Sequence, residues 1–119
     1  MISLWGPVAV YMAAIYYGAA LSQVPGPVAG FSDTVLHLSA NAGLALLTLR
    51  AVSGGRWAGV SQRALALALA ITTLHGMSVE VEQMFVPSRF AEWRDVGNDV
   101  IGALLGLSAA WAWGKLFKE

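Results

Sequence analysis

Residues 33–52 read DTVLHLSANAGLALLTLRAV. The stretch opens on an acid, carries a histidine and an asparagine in its first half, runs apolar, and ends beside an arginine. Its length is the ~20 residues needed to cross ~30 Å of hydrocarbon as a helix rising 1.5 Å per residue. Ser32 or Asp33 suits the N-cap, and Gly54-Gly55 ends the helix. The spacing therefore predicts a membrane-crossing helix with polar groups concentrated at one end.

The same pattern extends in both directions. A first helix is predicted over Leu4 to Leu21, broken by a segment with two prolines and two glycines (Pro25, Gly26, Pro27, Gly30). A third is predicted over Ser61 to Phe85, stopping near Pro87, and a fourth over Asp95 to Phe117. The runs are rich in Ala and Leu and show no period-two alternation, so strands are excluded. The expected fold class is an all-α membrane protein, a bundle of four transmembrane helices with short loops, in a single domain over residues 1–119. No basic n-region precedes the first apolar run, so it reads as a retained helix and not a cleaved signal.

Composition agrees. The chain is 57% hydrophobic and 12% charged with net charge zero, against ~25% charged in soluble domains. No basic run interleaved with aromatics argues for nucleic acid. The absence of cysteine excludes disulfides, thiolate metal sites and a cysteine nucleophile.

The charges are segregated. Asp33, Glu80, Glu82, Glu92, Asp95 and Asp99, with His37, Arg89 and Arg94, fall at one set of helix ends, whereas Arg50, Arg56, Arg63, Lys115 and Lys118 fall at the other. By the positive-inside rule the second set faces the cytoplasm. Both termini are then cytoplasmic, and the acidic set faces outward. Ionisable groups within a span are costly and mark functional positions.

Helical geometry groups these residues. At 100° per residue, Asp33, His37, Asn41 and Thr48 share a sector of about 80°. Asp33 and His37 stand at i, i+4, where a carboxylate can fix an imidazole tautomer. In the third span Glu80 and Gln83 adjoin. Reckoned from Arg63, Glu80 lies ~25 Å up, within or at the edge of the hydrocarbon, and needs a cation such as Arg89. In the fourth span Asp95, Asp99, Gly102 and Gly106 share a side, and the Gly102-x-x-x-Gly106 pattern admits close approach of another helix. His75 reads as a hydrogen-bonded packing residue and Glu82 as interfacial.

The order of these residues resembles the VanZ-like family of small bacterial membrane proteins: Asp33-x-x-x-His37, Glu80-x-x-Gln83, Arg89, Asp95, then Asp99-x-x-Gly102-x-x-x-Gly106. The resemblance covers about residues 31–106. It departs at Asp99, where the family usually carries asparagine and Asn98 precedes, and at Asn41, often aromatic in relatives. It implies a role at the outer face of the cytoplasmic membrane, on a lipid-linked or anionic envelope substrate, with a link to glycopeptide (teicoplanin) resistance.

On that reading His37, oriented by Asp33, and Glu80 are the acid–base groups, and Gln83, Arg89, Asp95, Asn98 and Asp99 line the substrate site. A guanidinium matches phosphate geometry, which suits Arg89 to an anionic head group. Asp33, His37, Glu80 and Asp95 are also donors that a divalent cation accepts, but no ligand-spacing motif marks a metal, and no cofactor is expected. The partner is a membrane lipid or lipid-linked anion, with a homo-oligomer left open. Three alternatives stand beside the enzyme: a non-catalytic lipid- or antibiotic-binding protein, a structural polar network, and a transporter, the last disfavoured by a cluster at one end only.

Overall fold

A computed structural model describes residues 2–20, 33–57, 60–85 and 93–116. These form four helices, α1 (Ile2–Ala20), α2 (Asp33–Val52), α3 (Gln62–Gln83) and α4 (Trp93–Leu116), with no strand among the described residues. The all-helical expectation and all four helix positions hold to within a few residues. The finer expectation of four spans is narrowed. By length and composition α2 (from Val35) and α3 are apolar enough to cross a membrane, while α1 offers a shorter apolar stretch, Ile2–Gly18. In α4, Asn98 and Asp99 interrupt the apolar run.

Local chemistry sets the helix ends. Gly54 and Gly55 have φ of 70° and 89°, the left-handed region that side chains disfavour. Gly55 N–H donates to Arg50 O (2.8 Å) and Gly54 N–H to Ala51 O (3.3 Å), the Schellman pairing that satisfies the last carbonyls of α2. Ser61 caps α3, accepting from Ala64 N–H at 3.0 Å. Ser61→Ala is expected to cost about 1 kcal/mol, measured by denaturant titration in mixed micelles. Inside α1, Pro7 has no N–H to give Ser3 O. Arg50 on α2 supplies the missing donor, its Nη1 reaching Ser3 O at 3.0 Å.

Contacts between helices give their directions. Ser3 meets Arg50, and Tyr11 Oη donates to Ala40 O at 2.8 Å, so α1 and α2 are antiparallel. Gly43 leaves the space that the Tyr11 phenol occupies. Gly102 lies on Leu38 and Gly106 on Ala42, so α4 runs parallel to α2. In cross-section α2 and α3 form the short diagonal of a rhombus, with α1 and α4 on opposite sides and no close contact between them among the described residues.

The glycine pair explains the closest approach. A Cβ at Gly102 would stand 2.6 Å from Leu38 O, and one at Gly106 2.7 Å from Ala42 O. Both meet backbone, so only glycine permits this spacing, as in small-residue helix contacts in membranes. The partner of the Gly-x-x-x-Gly surface is thus α2.

The interior changes character along the bundle. Toward the end bearing Arg50, Arg56, Arg63 and Lys115 it is small and apolar: Ala45, Leu49, Ala64, Ala68, Ala103, Leu107 and Ala110 pack together. A second cluster of Val8, Leu44 and Ala51 seats α1 with Leu4, Trp5 and Met12. Toward the other end Asn41, His75, Glu80, Gln83 and Asp99 are buried. The outer surface is the inverse, since Val10, Leu67, Leu74, Met77, Ile101 and Leu105 are exposed.

Candidate functional site

The polar end is built around Asp99, 3% exposed. Its Oδ1 accepts from Asn41 Nδ2 at 2.6 Å and lies 2.9 Å from His37 Nδ1. The second N–H of Asn41 returns to His37 O at 3.0 Å, tying the amide to its own helix. His37 and Asn41 stand one turn apart on α2, so one carboxylate oxygen meets both. The close approach set by Gly102 and Gly106 brings it within reach.

The other carboxylate oxygen belongs to α3. A Cβ at Gly76 would lie 2.5 Å from Asp99 Oδ2 and 3.2 Å from Asp99 Cβ. Gly76 is therefore the recess in α3 that receives the carboxylate. One aspartate joins three helices, with Oδ1 toward α2 and Oδ2 toward α3. The sequence expectation paired His37 with Asp33 one turn away, and the Asp33 side chain lies outside the described residues. Beyond that expectation, the imidazole Nδ1 meets a carboxylate 62 residues along the chain. The reason is tertiary: the i, i+4 rule sees only one helix, and the parallel packing of α4 on α2 brings an acid from another helix within reach.

The bond has a chemical consequence. With Nδ1–H donated to a carboxylate, the imidazole is held in one tautomer and orientation, and proton exchange with any substrate runs through Nε2. The His37 side chain is 20% exposed whereas that of Asp99 is 3%. The acid is thus sealed within the helices while the base reaches toward the surface.

Glu80 and Gln83, 7% and 4% exposed, lie on the stripe of α3 that begins at Gly76, one and two turns beyond Asp99's recess. Sequence reasoning selected both, and both are buried in the polar end. Asn98 is half-buried and Asp99 fully so. Of this adjacent pair, Asp99 takes the interior position. The side chains of Asp33 and Asp95 lie outside the described residues, although their helices place both one turn farther toward the same end than His37 and Asp99. Arg89 lies outside the described residues altogether.

Two contributors escaped sequence reasoning. Gly76 was not singled out, although a glycine four residues before a glutamate within a span is a legible sign of close packing. The second is Tyr16. It packs edge-on against His75, with centroids 4.9 Å apart and planes at 75°. Ser78 Oγ donates to His75 O at 2.6 Å, and the Tyr16 hydroxyl bonds to Ser78 Oγ. His75 is 7% exposed, and neither ring nitrogen has a hydrogen-bond partner among the described residues. It does pack, as expected, but through its ring.

The threonines near mid-helix close inward. Thr48 donates to Leu44 O and Thr72 to Ala68 O, each at 2.8 Å. Both are fully buried and satisfied within their own helices. They do not continue the polar end into a path through the bundle, which weighs against the transporter alternative.

No three His, Asp or Glu side chains among the described residues converge for a metal. The geometry supports acid–base chemistry or the gripping of a polar group at one end of the bundle. No family model, curated protein or solved structure matches this chain.

Proposed function

We propose that this chain is a VanZ-like protein of the bacterial cytoplasmic membrane, crossing it four times with both termini inside. Its outward end acts on the anionic head group of a lipid-linked envelope substrate. The apolar outer surface of the helices supports lipid as solvent, and the basic residues at one end support the orientation. The Asn98–Asp99 region interrupts the apolar run of α4 because Asp99 serves the interior, which is compatible with a fourth span.

The observation that carries the chemical reading is the Asp99–His37–Asn41 cluster. A fully buried carboxylate held by two groups of another helix is expensive unless it has a use. In the proposed role His37 exchanges a proton at Nε2, Asp99 holds it in place, and Glu80 is the second acid–base group. Gln83 and Arg89 bind the head group, with Asp33, Asp95 and Asn98 completing the polar rim. A lipid phosphate or polyprenyl phosphate fits this mixture of imidazole, carboxylate and guanidinium.

The test compares wild type with His37→Asn, Glu80→Gln and Arg89→Lys at matched membrane levels. Expected is loss of protection against teicoplanin for each variant in a susceptible bacterial host. In proteoliposomes holding polyprenyl phosphate, ³¹P NMR is expected to show hydrolysis by wild type, water bonding to phosphorus as the ester P–O bond breaks and the protonated polyprenol leaves with release of inorganic phosphate, and a fall of about 10²-fold or more for His37→Asn. Protection that scales one-to-one with protein, without conversion, moves the reading to a binding protein. Full function in all three inserted variants leaves only a structural network.

A further inference from the structure

Toward the basic end, the flank formed by α2 and α4 carries a groove. Their backbones touch where Gly102 meets Leu38 and Gly106 meets Ala42. The groove, of ≈ 280 Å³, is lined by Leu46, Trp57, Ala109, Ala110 and Trp113. It is open to the side of the bundle and lined by aliphatic and indole surface. It is remote from the Asp99 cluster and has no part in the chemistry proposed there.

We propose that this groove binds one acyl chain of an anionic phospholipid of the inner leaflet, with its head group at Arg56. The proposal rests on the membrane reading above and not on the outward site. Three features select this occupant. The lining is wholly apolar in character apart from the indole N–H groups, so it suits a hydrocarbon tail. The groove lies within one to two turns of the basic end, where a head group would sit.

Third is the charge. Arg56 is exposed and directly precedes Trp57, and Arg50 stands one turn beyond Leu46. Arg50 spends one donor on Ser3 O and keeps others, since a guanidinium carries five. Among the described residues this end carries Arg50, Arg56, Arg63 and Lys115 and no acid. Lys115 is turned away, 4.9 Å over the Trp111 ring on another face of α4, and does not serve the groove. A second copy of the chain inserted in the same direction would bring Arg56 toward like charge, whereas an anionic lipid complements it.

The experiment uses the whole chain in phosphatidylcholine vesicles doped with chain-brominated lipid, reading tryptophan quenching. Trp113→Phe isolates the groove's share of the emission. Expected is stronger Trp113-dependent quenching by brominated phosphatidylglycerol than by brominated phosphatidylcholine at equal fraction. Arg56→Gln is expected to reduce that preference about five-fold, the effect of one cation near an anionic lipid. Ala109→Phe, at an exposed position, fills the groove and is expected to abolish the preference while leaving the helices intact by circular dichroism. Equal quenching by both lipids overturns the proposal and leaves the membrane reading standing. So does a preference unaffected by both substitutions. Quenching by neither lipid overturns the membrane reading and this proposal with it.

Discussion

Replacing Asp99 with alanine is expected to produce one of the largest stability losses of any single substitution in this chain. Asn41 Nδ2 and His37 Nδ1 share one acceptor, Asp99 Oδ1. Its removal leaves Asn41, 5% exposed, with a buried N–H unsatisfied. That costs about 1–3 kcal/mol. His37 adds less, because its side chain is partly exposed and water reaches it. The lost carboxylate also empties the recess at Gly76 and adds a cavity term. The total is about 3–5 kcal/mol, the range found when one partner of a buried polar pair is deleted. Denaturant titration in mixed micelles measures it.

Asp99→Asn separates stability from chemistry. Asparagine keeps the shape and an acceptor oxygen for Asn41, so its stability cost is expected to be well below that of alanine. It removes the carboxylate that holds the His37 ring in place for proton exchange at Nε2. Expected is a folded, inserted protein without the protective function. A protein that tolerates asparagine with function intact would show that Asp99 contributes packing alone. A cost for Asp99→Ala under ~1 kcal/mol would show that water already satisfies the cluster.

The second large effect belongs to Gly102 and Gly106. Valine at either position places a branched Cβ on backbone that has no freedom to yield, Leu38 O at 2.6 Å and Ala42 O at 2.7 Å. Each is expected to cost about 1–3 kcal/mol, with the double variant losing the α2–α4 contact. Alanine is expected to fall between glycine and valine. Gly97 is the internal control, since nothing lies within 4 Å of a Cβ built there. Gly97→Ala is expected to stabilise α4 by up to about 1 kcal/mol, the helix-propensity difference. Cross-linking between cysteines placed at Ser39 and Ala103 would report the separation of the helices. The Gly102 and Gly106 substitutions also carry a chemical signature. Because they set the distance at which Asp99 meets His37, they are expected to alter the His37 imidazole ¹⁵N shifts, and Gly97→Ala is not.

Much of the candidate site was legible in the chain. His37, Asn41, Glu80, Gln83 and Asp99 could be selected because a polar residue within an apolar helix is conspicuous. The Gly-x-x-x-Gly surface announced a close neighbour, and the glycine pair at 54–55 announced a helix end through backbone chemistry. The pairing within the site was not legible in the same way. Asp33 offered His37 a carboxylate at ideal helical spacing, whereas the meeting of His37 with Asp99 depends on which face of α4 meets which face of α2. Likewise Gly76 has no meaning in its own helix. It becomes a carboxylate recess only when Asp99 is laid against it.

The amino-acid order by itself determined the four helices, their boundaries, the segregation of acid from base at opposite ends and the residues able to do chemistry. All of these follow from properties that act over a few residues: turn chemistry, propensity, hydrophobic length and charge. Only the tertiary structure decided that α4 packs on α2, that one buried aspartate joins α2 and α3, and that Trp57 and Trp113 come to line one groove. Those are distances between surfaces remote in the chain, fixed by the volumes of Gly102, Gly106 and Gly76 against a facing backbone or carboxylate. A linear pattern records each volume but not the surface it meets.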